Sequence, residues 1–176
     1  MLNMELLKST LEAISIRFYS CDMTFLITFS DESTITNHTF LKSKKQITKP
    51  IYRIDILNQY SIDELVEQMY MTSSFLYVST HTSKESKESR LIRLIAKSEL
   101  LNKQLNEFQK ILQAINTLDE VMRTIVIYAF ILRTSTYEIC DILCISKDRV
   151  YRKRKEALEK IIITNNLLSD EEGLYD

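Results

Sequence analysis

The residues of this chain whose types could do chemistry are concentrated in a basic run near its C-terminus. Between Lys147 and Lys160 the chain holds seven Lys or Arg residues against three Asp or Glu. Arg carries a fork of donors that can bridge O6 and N7 of guanine, while Lys neutralises phosphate. The whole chain has a net charge of −1, so this positive charge is local. A localised basic face is what specific DNA binding requires.

The residues just before and within this run predict two helices joined by a short turn. Ser135 and Glu138 form an S-x-x-E capping box, which starts a short helix. Ile145 and Ser146 mark the turn, and Ser146 is a good N-cap for the second helix. The apolar stripe of the first helix consists of Ile139, Ile142 and Leu143, and the inner face of the second consists of Val150, Ala157, Leu158 and Ile161.

In such a pair of helices, positions near the N-terminus of the second helix reach base edges. The residues that we predict to contact bases are Lys147, Asp148, Arg149 and Arg152. Lys153 and Lys155 lie further along and are predicted to contact phosphate. Tyr151 either packs inside the unit, the placement that we favour, or stacks at the groove.

The same residues carry a family resemblance. The pattern S-x-x-E-I-small-x-x-L-x-I-S-x-x-x-V-x(6)-A-L-x-x-I, found here in 135–161, resembles region 4 of sigma-70-type transcription factors. The stretch 118–162, about a quarter of the chain, also resembles phage and prophage late-transcription regulators of the ArpU and RinA type. In those regulators the second helix runs into a Tyr-Arg-Lys-rich stretch and then Ala-Leu, as in 151–158 here. The resemblance implies a sequence-specific transcriptional regulator that inserts the helix 147–161 into the major groove of double-stranded DNA.

One position departs from the family pattern. Members usually carry Gly where this chain has Cys144, between the two predicted helices. A left-handed backbone there costs a non-Gly residue roughly 1 kcal/mol. We therefore expect a less regular turn.

Two other functions remain open. In the first, the chain is a sigma-like factor or an RNA-polymerase-binding adaptor, and another surface binds polymerase. Sigma factors also need a second helical region with interleaved aromatic and basic residues, which 1–80 do not show. In the second, the unit is a protein-interaction module that has lost DNA binding. The sequence contains no Gly-rich phosphate loop, no G-x-S-x-G and no H-E-x-x-H, so we do not expect an enzyme or a cofactor.

The N-terminal region, 1–81, is predicted to be a smaller α+β region. Met4–Ile16 has apolar residues at helical spacing, which predicts a short amphipathic helix. Ile16–Phe29 and Thr34–Phe40 are rich in β-branched and aromatic residues, which favours strands joined by a turn at Ser30–Ser33, with helix as the alternative. Ile51–Leu57 is either another strand or the start of a helix. A capping box at Ser61–Glu64 predicts a helix to about 71, and 73–80 look extended.

The rest of the chain is predicted to be helical, which makes the protein mainly α. The wholly polar stretch in 82–90 is a linker or the first turns of a helix. A long amphipathic helix follows over 91–117, and a capping box at Thr117–Glu120 opens the DNA-binding unit, 118–163. The residues after it, 164–176, form an acidic tail.

The long helix carries a heptad-like apolar stripe, formed by Leu101, Leu105, Phe108, Leu112 and Ile115. We favour packing of this stripe within the chain, since two heptads are too few for a coiled coil. The alternative is a homodimer seam, which would double the base contacts at a palindromic site.

The cysteines and the hydropathy pattern bear on location. Cys21, Cys140 and Cys144 are an odd number without a C-x-x-C pair, which fits a reducing cytoplasm. Cys140 and Cys144 could join His38 and His81 in a zinc site, but we favour apolar filler and no metal. No run of 18 apolar residues and no signal peptide are present, so we expect a cytoplasmic protein with no membrane partner.

Overall fold

The computed structural model describes residues 1–43, 47–57 and 87–172. These form a mainly helical structure with a small three-stranded antiparallel sheet, which confirms the predicted class. The helices are α1 (Met4–Ser20), α2 (Asn37–Lys42), α3 (Lys87–Asn116), α4 (Glu120–Val126), α5 (Thr136–Leu143) and α6 (Lys147–Glu172). A π-helical segment (Ile127–Ile131) continues α4, and the strands are β1 (Phe25–Phe29), β2 (Thr34–Thr36) and β3 (Ile51–Ile56).

The chain divides into two compact units. One joins Met1–Leu57 with Phe108–Asp176, and the other is Asn58–Glu107. The predicted helix of 61–71, the extended stretch of 73–80 and the polar residues 82–86 lie outside the described residues. Within the second unit, the structure describes the first part of α3, residues 87–107.

Helix α1 is longer than predicted. The Asn3 side chain caps it by accepting from the Leu6 N–H at 2.9 Å, and it continues to Ser20. For residues 16–20 the favoured strand was therefore wrong and the helical alternative is correct. Local β-branched and aromatic content was outweighed by a buried stripe that continues at helical spacing through Leu7, Leu11, Ile14 and Phe18.

The predicted strands are confirmed in part. β1 lies between β2 and β3, and its alternate side chains Phe25, Ile27 and Phe29 are buried, as the twofold period of a strand requires. The first alternative for Ile51–Leu57, a strand, is correct. The second predicted strand ends at Thr36, because Asn37 turns inward and starts α2. The side-chain amide nitrogen of Asn37 donates to the Phe18 and Met23 carbonyls, both at 2.9 Å.

The start of α4 differs from the predicted capping box. Asp119, not Thr117, is the N-cap, and its carboxylate accepts from the Met122 N–H at 2.9 Å. The Thr117 hydroxyl instead donates to the Ala114 carbonyl at 2.7 Å, at the end of α3. Thr117 therefore ends one helix while Asp119 begins the next.

The helix formed by α4 and its π-helical segment is buried on all sides. Its side chains with at most 2% exposure are Met122, Thr124, Ile125, Val126, Ile127, Tyr128 and Ile131. Such a helix must be covered on every face. α6 packs against α4, β3 packs against α4, and α1 packs against both the π-helical segment and α6.

This packing groups the chain differently from the division by sequence. The N-terminal elements and the predicted DNA-binding unit share one core, whereas the sequence placed a boundary between them at 82–90. Polar contacts reinforce that core. The Ile51 N–H donates to the Thr124 hydroxyl at 2.9 Å, and the side chain of Asn116 both donates to and accepts from the backbone of Ile54.

The residues just before α1 also bind the last described helix of this unit. The Leu2 N–H donates to Asn166 Oδ1 at 2.8 Å, and Asn166 Nδ2 donates back to the Leu2 carbonyl at 3.2 Å. α6 runs to Glu172, so the residues predicted as the start of an acidic tail at 164 are helical and belong to the fold.

The apolar stripe of α3 is buried within the chain at Phe108, Leu112 and Ile115. This supports packing within the chain for that half of the stripe. Within the described residues, no helix has the length and apolarity needed to cross a membrane.

Tyr128 makes the stability of this core depend on pH. Burial raises the pKa of its phenol to about 12, and its hydroxyl donates to the Lys49 carbonyl at 2.7 Å. An unfolded phenol has a pKa of about 10, so the unfolded chain loses this proton first. The native state is therefore destabilised as pH rises from about 10 to about 12.

We expect Tyr128→Phe to cost roughly 0.5–1.5 kcal/mol of unfolding free energy at neutral pH, through the lost hydrogen bond. The difference in unfolding free energy between variant and wild type should become smaller above a pH of about 10, because only the wild type has this proton to lose. Urea unfolding at several pH values measures this difference. Tyr52→Phe, at an exposed tyrosine, serves as control. A difference in unfolding free energy between Tyr128→Phe and wild type that stays constant with pH would contradict the expectation.

Candidate nucleic-acid interface

Helix α5 begins with the predicted capping box. The Glu138 N–H donates to the Ser135 hydroxyl at 3.3 Å, and the Ser135 N–H donates to Glu138 Oε2 at 3.1 Å. Two backbone donors that would otherwise lack partners are thereby satisfied reciprocally. The start of α5 is held in one place by its own first turn.

The turn between α5 and α6 is three residues long, and its first residue is left-handed. Cys144 has φ 52° and ψ 43°, the conformation expected at the position where the family pattern has Gly. The Ile145 N–H closes the turn by donating to the Cys140 carbonyl at 3.2 Å. The Ser146 hydroxyl then accepts from the Arg149 N–H at 3.4 Å, so Ser146 caps α6 as predicted.

The inner face of α6 is buried as predicted. Val150 is 1% exposed, Ala157 and Ile161 are 0% exposed, and Leu158 is 5% exposed. This face packs against α4. The rotation of α6 about its axis is therefore set by the core, and so is the direction of its other face.

Three cations on α6 point into solvent. Arg149, Arg152 and Lys155 are exposed, and within the described part of the chain their side chains make no hydrogen bond, ion pair or ring contact. Arg149 and Arg152 are three residues apart, which places them on the same side of the helix. Asp148 is also exposed beside them, and a carboxylate there can accept only from a donor such as the cytosine amino group.

Two other cations of α6 are partly neutralised. Lys153 Nζ lies 3.1 Å from Glu156 Oε2, and Lys160 Nζ lies 3.2 Å from Glu156 Oε1. The hydrogen bond from Lys153, followed by that from Lys160, lowers the pKa of the Glu156 carboxyl. Of the two residues predicted to contact phosphate, Lys155 is thus the one whose charge is uncompensated.

Lys147 lies among aromatic rings. Its Nζ is 3.4 Å from the Tyr137 hydroxyl oxygen, 4.9 Å from the centroid of that ring and 5.8 Å from the centroid of Tyr151. The hydrogen bond to Tyr137 is the main cause that raises the pKa of Lys147, so the ammonium stays charged at neutral pH. Tyr151 is 42% exposed with Arg154 over its ring, so its favoured placement inside the unit was wrong.

Tyr137 is the residue that sequence reasoning missed. Its side chain is 69% exposed at the start of α5. It precedes the buried Ile139 by two positions, or about 200° around a helix, so it points away from the core. The sequence did contain a signal for it. Tyr137 is an aromatic residue on the side of a short predicted helix opposite its apolar stripe, and a basic helix follows.

The cysteines are free thiols: Cys21 and Cys140 are partly buried and Cys144 is exposed. Within the described residues, no three His, Cys, Asp or Glu side chains form a group that could hold a metal ion. His81, which entered the hypothetical zinc site, lies outside the described residues.

No protein-family model matches the chain, and searches of curated proteins and of solved structures also find no match. The function is therefore inferred from the arrangement of α5, the turn and α6.

The strained turn gives a stability prediction. Cys144→Gly should remove roughly 1–2 kcal/mol of left-handed strain, partly offset by roughly 0.4–1 kcal/mol from the more flexible unfolded chain. We expect a net stabilisation of roughly 0.5 kcal/mol, measured as a higher midpoint of urea unfolding. Cys140→Gly, in the interior of α5, should instead destabilise the protein. A lower unfolding free energy for Cys144→Gly would contradict this account of the turn.

Proposed function

We propose that this protein is a sequence-specific DNA-binding transcriptional regulator that reads the major groove with the first turns of α6. The observation that carries the proposal is the set of three exposed cations without a partner in the described chain, at positions 149, 152 and 155. They lie in the first nine residues of a helix whose opposite face is buried. The resemblance of 118–162 to late-transcription regulators of the ArpU and RinA type points to the same function.

The directions of these side chains suit a groove. Each residue of an α-helix advances by about 100°, so Arg152 lies about 160° around the axis from Val150. Val150 is buried against the core, and Arg152 therefore points outward. Arg149 is about 60° from Arg152, and Lys155 is about 60° from it on the other side. An α-helix fits the major groove of B-DNA, where Arg can pair with guanine O6 and N7.

The rigidity of the unit also supports the proposal. α6 is held by its buried face and by the capped turn that precedes it, so its side chains project from a preorganised backbone. Preorganisation lowers the cost of ordering on binding and makes base recognition more precise.

The sheet favours a regulator over a sigma-like factor. A sigma factor needs a second helical region for promoter recognition, whereas residues 25–56 contain three antiparallel strands in the same compact unit as α6. Polymerase binding by another surface remains compatible with a regulator, and we assign no residues to it.

Replacement of either outward-facing arginine should weaken specific binding. A duplex selected from a random pool by the full chain is the ligand, and binding is measured by fluorescence anisotropy. Arg149→Ala and Arg152→Ala should each cost about 1–3 kcal/mol and relax the preference at particular base positions, because each loses base-edge hydrogen bonds.

Lys8→Ala on α1 is the control for loss of one exposed positive charge, and circular dichroism checks folding. Folded Arg149→Ala and Arg152→Ala variants that bind the selected duplex as tightly as wild type would sink the proposal. The protein-interaction module would then be the better explanation of the unit.

The ion pairs of α6 predict a difference between two lysines. Lys155→Ala should weaken binding to all sequences alike and reduce the slope of log affinity against log salt by about one unit. Lys153→Ala should reduce it less, because Glu156 already shares that charge. A salt series with both variants measures the slopes. A larger reduction for Lys153→Ala than for Lys155→Ala would contradict the assignment.

A further inference from the structure

The beginnings of α5 and α6 meet at two exposed side chains, Tyr137 and Lys147, which we call the Tyr137–Lys147 pair. Tyr137 is the second residue of α5, and Lys147 is the first residue of α6. The Lys147 ammonium donates to the Tyr137 hydroxyl oxygen at 3.4 Å. It also lies 4.9 Å from the centroid of the same ring. Lys147 therefore holds the hydroxyl in one direction at the surface.

The pair offers several donors at one point. Because the Tyr137 oxygen accepts from Lys147, its own O–H is left to donate outward, and a hydrogen bond to that oxygen polarises the O–H further. The ammonium has three donors, of which Tyr137 uses one. Within the described chain, Lys147 forms no salt bridge to a carboxylate. The positive ends of two helix dipoles lie beside the pair, because both residues are in first turns.

We propose that the Tyr137–Lys147 pair holds one phosphodiester group of the DNA backbone at the edge of the groove that α6 reads. This rests on the proposed function of α6. A phosphodiester group can accept from the phenol O–H and from the ammonium together. Its single negative charge balances the positive charge of Lys147. The pair fixes the register of α6 on the duplex and reads no base.

The position of Lys147 on α6 agrees with this role. Lys147 precedes Arg152 by five residues, or about 140° around the helix. When Arg152 points at base edges, Lys147 points to one side of the groove, where the backbone runs. Lys147 therefore moves from the residues that the sequence predicted at base edges to the residues that contact phosphate, and Tyr137 joins them.

Tyr151 completes the surface beside the pair. The centroid of its ring lies 5.8 Å from Lys147 Nζ and 4.9 Å from the guanidinium carbon of Arg154. Cations on aromatic faces are held by the ring quadrupole. We assign Tyr151 the role of positioning Lys147 and Arg154 rather than that of a direct contact.

The test uses the full chain and the duplex that wild type selects. A series of duplexes carries one neutral methylphosphonate each, at successive backbone positions. Tyr137→Phe keeps the ring and removes the hydroxyl, and Lys147→Gln removes the charge. We expect each variant to bind the unmodified duplex about 3- to 10-fold more weakly, the effect of one lost hydrogen bond. Only Lys147→Gln should reduce the salt slope, by about one unit.

The methylphosphonate series identifies the phosphate. One position should weaken wild-type binding strongly, weaken Tyr137→Phe less because only the Lys147 contact is left to lose, and weaken Lys147→Gln least because the charged contact is already gone; that position should be the same for both variants. Lys8→Gln should keep the wild-type pattern. If both variants bind the unmodified duplex as wild type does, or lose sensitivity at different positions, the pair is not a phosphate site although α6 still binds DNA. If wild type selects no duplex, the proposed function fails and this inference fails with it.

Discussion

A buried arginine in α4 joins the parts of the fold that position the candidate DNA-binding helix. Arg123 is 9% exposed, and its guanidinium donates to the carbonyls of Leu118 at 2.6 Å and Asn116 at 3.3 Å, and also to the Tyr52 carbonyl on β3. Burial lowers its pKa, and within the described structure its Nε has no hydrogen-bond partner. Burying this charge is costly, so the three carbonyls must stay in place around it. Arg123 thereby ties the end of α3 and the sheet to α4, and α6 packs against α4.

The second constraint is a near absence of glycine. The chain has one Gly, and four residues other than Gly have positive φ in the described structure, among them Arg133 and Cys144 at either end of α5. Local bonds compensate for part of the strain at Arg133. The Thr134 N–H donates to the Tyr128 carbonyl at 2.8 Å, and Arg133 Nε donates to the Ser15 hydroxyl at 2.9 Å. Two strained residues and one capping box therefore set the direction in which α5 leaves the core and α6 follows.

Local signals predicted the candidate site better than they predicted the architecture. The capping box of Ser135, the cap at Ser146 and the buried face that begins at Val150 depend on neighbours within a few residues, and the structure confirms them. The grouping of the N-terminal elements with α6 depends on what covers α4, which no local pattern states. One feature of the sequence did indicate it. Residues 121–132 contain one charged side chain, Arg123, and such an apolar helix must be covered on every side. The contact of Tyr137 with Lys147 joins two helices across a turn, so it could be identified only from the folded structure.

Reading of bases by α6 is the central claim, and substitution of single atoms in the duplex tests it most directly. Each guanine of the selected duplex is replaced in turn by 7-deazaguanine, which lacks the N7 acceptor that Arg uses in the major groove. Affinity is measured for wild type and for the folded Arg149→Ala and Arg152→Ala variants. The account predicts that at least one replacement weakens wild-type binding several-fold and has no further effect on one of the two variants. It is contradicted if no replacement matters, or if every effect persists unchanged in both variants.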